Sequence, residues 1–539
     1  MAAEIKADVI IVGSGIAGSL VAYELARAGV RVAILEAGPR VDRQQAVRQF
    51  RNAVAKVPEC AYPISRHAPH PTTDNPEGWY IQAGPDKFRS TYLRVVGGTT
   101  WHWLGTCLRF VPDDFRLQTK FGRGVDWPLT YDDLEPWYGA AEDALGVAGD
   151  ASETLGSPRS KPYPMPAIPQ TWLDRQFAQA LAATRYDVRT TPQGRNSMDR
   201  DGRPACCGSA SCIPICPIQA KYDATVHIAK AEASGAKLYD TTVAIFVEAD
   251  GGRRVTAIRF KRPDGSGGRA VGKVYVLAAH AVETPRLLLA SRGDSTPNGV
   301  ANGSDQVGRN LMDHPTQLSW ALSDAPVWPY RGPLSTSGIE TLRTGPWRAE
   351  RAAFRVEIGN DGWSWPTGAP VSTAQELAGQ GVSGTALIAA LKAQTSRQIR
   401  LASSIEQLPD PENRIVPDFS QRDPLGVPRP RLTYRLDEYV CTGLVDARRV
   451  HEEIFERLAA SNVRHGTTAE GAGHIIGTTR MGSDPRQSVV DPDLRSHDLA
   501  NLFIVGSGVF PTSATANPTL TIAALSLRAA PVIARSLAQ

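Results

Sequence analysis

Residues 7–18 read ADVIIVGSGIAG: a short β-branched apolar run that stops at Gly13, Gly15 and Gly18 in the spacing Gly-x-Gly-x-x-Gly. Apolar residues then recur at helical spacing (Leu20, Val21, Leu25, Ala28), and Arg31–Ala37, RVAILEA, supplies a second strand with Glu36 at its end. The pattern predicts strand, glycine turn, helix, strand. In such a frame one glycine makes the tight turn, one lets the backbone approach a pyrophosphate, and one lets helix and strand pack closely. The helix N-terminus presents unpaired N–H groups and partial positive charge to phosphates, and Glu36 is placed to accept hydrogen bonds from an adenosine ribose. The frame implies dinucleotide binding but does not separate NAD from FAD.

Composition narrows the class. A chain of 539 residues is long enough for two or three regions sharing a large interior, which suits a globular enzyme. Its 59 basic and 55 acidic residues leave a net charge of +4 with no Lys/Arg run, which argues against nucleic acid as a partner. No apolar stretch approaches the roughly 18 to 20 residues that cross a bilayer, so no transmembrane segment is expected. The N-terminus MAAEIKADVIIVGSG reads as a strand rather than a secretory signal.

Further along, a helix is expected near Asp132–Leu145, and Thr242–Phe260 alternates like a hairpin around Gly251-Gly252. Residues 330 to 440 mix Trp, Pro and strand-like segments without a placeable motif. The C-terminal stretch gives a buried strand, a polar loop and a closing helix. No internal repeat is evident.

Two more segments bear on the cofactor. RVVGGTTWHW, Arg94–Trp103, offers Gly97-Gly98 against a flat ring and hydroxyls from Thr99 and Thr100. HIIGTTRMG, His474–Gly482, is followed by NLFIVGSGVFPTSATANPTLTIAAL, Asn501–Leu525. Together with ETPRLLLAS (Glu283–Ser291) and VGRNLMDHP (Val307–Pro315), these segments resemble, in order, those of the glucose-methanol-choline (GMC) family of flavin oxidoreductases. The resemblance implies an α/β fold with a Rossmann-like FAD-binding domain and an α+β substrate-binding domain. It assigns residues 1–50, 200–325 and 465–539 to a discontinuous FAD domain, with 85–110 as a flavin-contacting segment. Residues 51–84, 111–199 and 326–464 fall mainly to the substrate domain and connecting loops.

The resemblance also implies site residues. His474 maps onto the family's catalytic base and Asn517 onto its partner, and an imidazole suits removal of a hydroxyl proton near neutral pH. Val243, Gly508, Pro518 and Thr519 join Gly13, Gly15, Gly18, Glu36, Gly97, Gly98, Thr99, Thr100, His102 and Asn517 as expected FAD contacts. His102, in Gly-Gly-x-x-x-His-Trp, is a candidate for covalent attachment to the flavin; the alternative is packing between Trp101 and Trp103 beside a noncovalent flavin. Asn517-Pro518 reads as an N-cap and first helical residue, aiming a helix N-terminus at the flavin. His314 is expected only to hold a loop.

Four of the seven cysteines, Cys206, Cys207, Cys212 and Cys216, crowd into one loop, Pro204–Pro217, while Cys60, Cys107 and Cys441 lie far apart, which is no disulfide framework. A disulfide between adjacent Cys206 and Cys207 is strained, because neighbouring Cα atoms sit about 3.8 Å apart and disulfides want about 4.4 to 6.8 Å. Zinc lacks the paired Cys-x2-Cys knuckles, and inert thiols seldom cluster so. The closing Cys-x3-Cys-Pro resembles part of a ferredoxin-type run. An iron–sulfur centre over residues 204–217 is therefore favoured: a [3Fe-4S] cluster held by Cys207, Cys212 and Cys216, with Cys206 as alternative ligand and [4Fe-4S] as alternative cluster.

Within the family that loop resembles the catalytic subunits of bacterial membrane-associated sugar dehydrogenases, the FAD-dependent glucose dehydrogenases foremost. The implied reaction is oxidation of glucose at C1 to gluconolactone. The implied partners are a small subunit carrying the export signal and a multihaem cytochrome c subunit, at the periplasmic face of the inner membrane; the alternative location is the cytoplasm. Fructose, sorbitol or gluconate are alternative substrates. A cluster-free, oxygen-using oxidase and a noncatalytic electron-transfer subunit are the other readings.

Overall fold

Val9–Val12 is apolar on both faces, which suits a strand covered on both sides, and it forms the middle of a five-stranded parallel sheet. The order is Leu502–Ile504, Val274–Leu277, Val9–Val12, Val32–Leu35, Lys237–Tyr239. The computed structural model describes residues 3–54, 57–251, 253–363 and 371–538. Helices and parallel strands surround the glycine turn, and a mainly antiparallel sheet lies beyond it.

The three glycines have separate jobs. Gly13 takes φ +101°, and a β-carbon there would lie 2.4 Å from the Ala278 carbonyl oxygen. One on Gly18 would lie 2.0 Å from the Gly13 carbonyl oxygen, so the helix Ile16–Arg27 can start only against a bare backbone. One on Gly15 would meet nothing within 4 Å. Glu36 fastens this turn to the next strand: its carboxylate accepts from the Ser14 N–H (2.9 Å), the Ser14 hydroxyl (2.6 Å) and the Gly38 N–H (2.9 Å).

The expected helix at 132–145 runs Tyr131–Leu145, started by a reciprocal cap in which Asp133 accepts from the Thr130 N–H at 2.8 Å. Val243–Asp250 and Arg254–Lys261 pair antiparallel as the hairpin reading requires; Gly252 of its turn lies outside the described residues.

Residues 330–440 supply Ser337–Ile339, Phe354–Gly359 and Gln398–Ile405 to a six-stranded antiparallel sheet. Thr316–Leu322 and Ser461–His465 complete one edge and Val188–Thr190 the other. Its back face, including Val356, Ile358, Ile399, Leu401 and Ile405, packs on Val440, Ala447, Val450 and Ile454 of the helix Glu438–Arg457. The front face carries the alternate residues, among them Arg355, Glu357, Arg400, Ala402 and Ser404.

The closing helix runs Thr519–Ser536 and differs from the sequence expectation at its start. Pro518 occupies the cap position, its carbonyl accepting from the Ile522 N–H at 2.9 Å, and Asn517 is not the cap. The Asn517 amide is engaged elsewhere, with His474 at 3.1 Å. Among the described residues no helix is long and apolar enough to cross a membrane.

The glycine geometry predicts that Gly18→Ala lowers stability by roughly 2 kcal/mol or more, whereas Gly15→Ala stays within about 0.5 kcal/mol. Denaturant unfolding of the two flavin-free variants checks this; equal losses would mean the turn is looser than described.

Candidate active site

A cavity of about 820 Å³ runs from the glycine turn to the front face of the six-stranded sheet. Gly13, Gly15, Glu36, Gly98, Thr99, Thr100, His102, His474, Asn517, Pro518 and Thr519 all line it. Gly18 and Gly97 stand behind the wall; the Gly97 N–H donates to the Ser14 hydroxyl at 3.1 Å. Val243 is turned into a cluster with Leu425 and Val427, and its neighbours Thr242 and Ala244 line the cavity instead. Gly508 also stands back, its carbonyl accepting from the Thr479 N–H at 2.7 Å, while Gly506 and Ser507 reach the cavity.

At the far end two imidazoles meet nearly at right angles, with ring centroids 5.0 Å apart and an interplanar angle of 86°. His314 Nε2 lies 3.1 Å from the Ala514 carbonyl oxygen, which can only accept, so Nε2 carries the proton and Nδ1 is left as a lone pair. His474 Nδ1, 3.0 Å away, must then donate to it. The lone pair of His474 is thereby fixed on Nε2, where the Asn517 amide approaches at 3.1 Å. Burial holds His314 down to about 4, and burial with His314 and Arg355 nearby holds His474 well below the usual imidazole range. The pair is neutral, and Nε2 is a ready proton acceptor. His314 therefore does more than hold a loop: it sets the tautomer of His474.

Asp313 holds this arrangement. Its carboxylate accepts from the backbone N–H of His314 (2.7 Å) and of His474 (3.0 Å) and from the Ser90 hydroxyl. Ser90 in turn accepts from the Gly473 N–H at 2.7 Å. Sequence reasoning quoted Asp313 and His314 within MDHP, but neither spacing nor residue type reveals a pairing across 160 positions. His280 was missed as well. It lines the cavity at φ +79°, stacked on Tyr92 with centroids 4.3 Å apart, beside Glu283 and Arg286 from the quoted ETPR.

The residues fit FAD. Gly15 leaves an open cradle at a helix N-terminus, and the cavity extends from that turn to the base. His102 lines it with Nδ1 sealed from solvent and without a hydrogen-bond partner, its imidazole held down to about 3 by burial, then by Lys221 and His70.

The cysteine loop abuts this wall, and Ile213, next to Cys212, lines the cavity. Cys207 is exposed, whereas Cys212 is buried and Cys206 and Cys216 are partly so. Burial raises the Cys206 thiol, and Cys212 and Cys216 are near enough to raise it further. The sulfurs themselves take hydrogen bonds: Arg195 donates to Cys212 Sγ at 3.1 Å and the Lys221 N–H to Cys216 Sγ at 3.5 Å. No group of three or more His, Cys, Asp or Glu side chains among the described residues is gathered as a metal site. The surroundings are cationic all the same. Arg195, Arg203 and Lys221 are each at most 5 % exposed, and none is ion-paired to a carboxylate among the described residues. Of these, Arg195 and Lys221 lie beside Cys212 and Cys216, and Asp223 offsets part of the Lys221 charge.

The GMC oxidoreductase profiles match residues 7–316 (N-terminal) and 409–526 (C-terminal). The chain is 39% identical over 544 residues to the fructose dehydrogenase large subunit of Gluconobacter japonicus, covering 99% of each. It is 24% identical to the gluconate 2-dehydrogenase flavoprotein of Pantoea cypripedii, covering 98% of this chain and 93% of that one. Pyridoxine 4-oxidase from Mesorbium loti superposes with a TM-score of 0.64 at 18% identity, over 98% of this chain and 99% of that one.

Two outcomes are expected. Because His474 is neutral well below its ordinary pKa, the acid limb of kcat/KM should fall below pH 6.5, and a limb at or above 6.5 would contradict the burial argument. His314→Phe should retain flavin but slow its reduction by about 10- to 100-fold, since His474 loses the acceptor that fixes its tautomer; stopped-flow flavin absorbance checks this.

Proposed function

The chain belongs to the GMC oxidoreductase family, and on that premise we propose that it is an FAD-dependent dehydrogenase of a sugar. The single observation that carries the reading is the neutral His474 with its Nε2 lone pair beside Asn517 at the end of a cavity that starts at a dinucleotide turn. His474 takes the proton from a substrate hydroxyl, and Asn517 donates a hydrogen bond to the same oxygen as negative charge builds there. FAD, held by Gly13, Gly15, Glu36, Gly98, Thr99, Thr100 and the Thr519 helix end, would accept two electrons as hydride, and an iron–sulfur centre would let them leave singly. His102 is the residue to carry a covalent flavin; yellow colour remaining with acid-precipitated protein supports that, and a colourless pellet opposes it.

For the cluster we favour Cys206, Cys212 and Cys216. Cys207 is the alternative ligand: its side chain is exposed, whereas Cys206 lies close enough to Cys212 and Cys216 for their charges to be felt. Fructose stands level with glucose, given the 39% identity to a fructose dehydrogenase large subunit. The relative's designation as a large subunit also supports a complex, with an export-signal subunit and a cytochrome c as proposed partners at the periplasmic face of the membrane.

The test is purification with iron analysis, electron paramagnetic resonance and dye-linked turnover of glucose, fructose, sorbitol and gluconate. His474→Ala should keep flavin and lose about 10²- to 10⁴-fold in turnover. Cys206→Ser should lose iron and the cluster signal, and Cys207→Ser should keep both; the reverse pattern would restore Cys207. Iron-free protein that makes peroxide from oxygen at full rate would establish the oxidase reading.

A further inference from the structure

The front face of the six-stranded sheet carries a carboxylate that the flavin and the base do not account for. Glu357, on Phe354–Gly359, is 7 % exposed yet lines the cavity. It pairs across to Ala402, and Ala402 to Leu318, so small and apolar neighbours leave its carboxylate uncrowded. Two guanidiniums hold it loosely: Arg355 Nη1 at 3.3 Å and Arg400 Nη2 at 3.6 Å. Each of those arginines has a nearer carboxylate, Glu340 at 3.0 Å for Arg355 and Asp361 at 2.7 Å for Arg400. Glu340 is itself shared with Arg343 at 3.9 Å, so Glu357 completes the charge balance of this group, yet its long contacts leave lone pairs free for other partners.

Two further observations place this wall in one cavity with the base. Thr316, two residues after His314, pairs with Ser404, and Ser404 with Arg355, which brings the Arg355–Glu357 pair toward the histidine end of the cavity. Two strands away, on Thr316–Leu322, Trp320 also lines the cavity, and its indole N–H is buried without a hydrogen-bond partner among the described residues. Ser404 and Thr316 add hydroxyls to the same wall. An acceptor with lone pairs to spare, an unpartnered donor and two hydroxyls in the cavity that holds the base form a surface for a molecule with several hydroxyl groups.

We propose that Glu357 accepts hydrogen bonds from the non-reacting hydroxyls of a neutral sugar or polyol, and so selects and orients the substrate presented to His474. The inference rests on the proposed function, in which His474 deprotonates an alcohol, and it deepens that reading by naming the substrate class. Glu470, also lining the cavity, adds a second carboxylate, so a sugar acid meets negative charge at both. Neutral sugars are preferred over aldonates.

The experiment uses flavin-loaded enzyme with a dye acceptor. The wild type is assayed on glucose, fructose, sorbitol and gluconate, and on monodeoxy analogues of the best substrate; Glu357→Gln and Trp320→Phe are assayed alongside. Wild type should prefer a neutral substrate to gluconate and should lose about 10- to 100-fold in kcat/KM when one particular hydroxyl is deleted. Glu357→Gln should show a comparable loss on the parent sugar, chiefly in KM, and almost none beyond that on the analogue lacking that hydroxyl. A wild type that takes gluconate as readily as neutral sugars overturns the proposal without any variant, as does Glu357→Gln with unchanged KM. If Glu357→Gln misfolds, the wild-type panel and the Trp320→Phe comparison still decide. Failure of the underlying function looks different: no alcohol is oxidised, or His474→Ala turns over normally, and the assignment of Glu357 falls with it.

Discussion

One buried carboxylate fixes the chemistry of this protein. Asp313 is 3 % exposed, and a charge so placed is tolerable only if its oxygens are fully engaged. They are engaged by three segments far apart in the chain: the Ser90 hydroxyl, the His314 N–H and the His474 N–H. Satisfying Asp313 therefore brings the two imidazoles together, and their mutual hydrogen bond leaves one lone pair, on His474 Nε2. The closing helix then needs only to deliver Asn517. Its start one residue later than the cap rules suggest is what frees the Asn517 amide for His474.

That dependence explains what was legible in the sequence. The turn at Gly13–Gly18 is local: three glycines, a β-branched run before them and a helical period after them specify it within a dozen residues. The helix at 131–145 and the hairpin from Val243 to Lys261 are legible for the same reason. His474 and Asn517 were reached through motif resemblance, because nothing local distinguishes them from any other His and Asn. The tautomer-setting role of His314 was not reached, since it arises from a pairing across the whole fold. The front wall of the six-stranded sheet was opaque for another reason. Phe354–Gly359 and Gln398–Ile405 bury both faces, one against the helix Glu438–Arg457 and one toward the cavity, and the cavity side is charged. Alternation that should have marked a half-exposed strand instead read as a mixture.

The cysteine loop shows the limit of spacing arguments. Adjacency excluded a comfortable shared role for Cys206 and Cys207 but did not say which one turns away; that depends on the path of the loop against Arg195 and Lys221. Charge in the two halves of the cavity wall is arranged differently. The cysteine side holds Arg195 and Lys221, neither ion-paired among the described residues, and Lys221 donates to the carbonyls of Thr100 and Trp101. The opposite side balances Glu340, Glu357 and Asp361 against Arg343, Arg355 and Arg400.

The two walls also bear on where the abstracted proton rests. The relay behind His474 ends at the Ala514 carbonyl, which accepts a hydrogen bond but has no proton of its own to pass on, so the proton taken by Nε2 has no exit through His314. On the proposed function, that proton stays on His474 until it leaves by way of the cavity. An imidazolium there is disfavoured by burial and by Arg355, and the charge of Arg355 is moderated by Glu340 and Glu357. Glu357 is thus coupled to the base by electrostatics as well as to the substrate by hydrogen bonds: without its charge Arg355 would act on His474 less screened, and the base would hold its proton less readily.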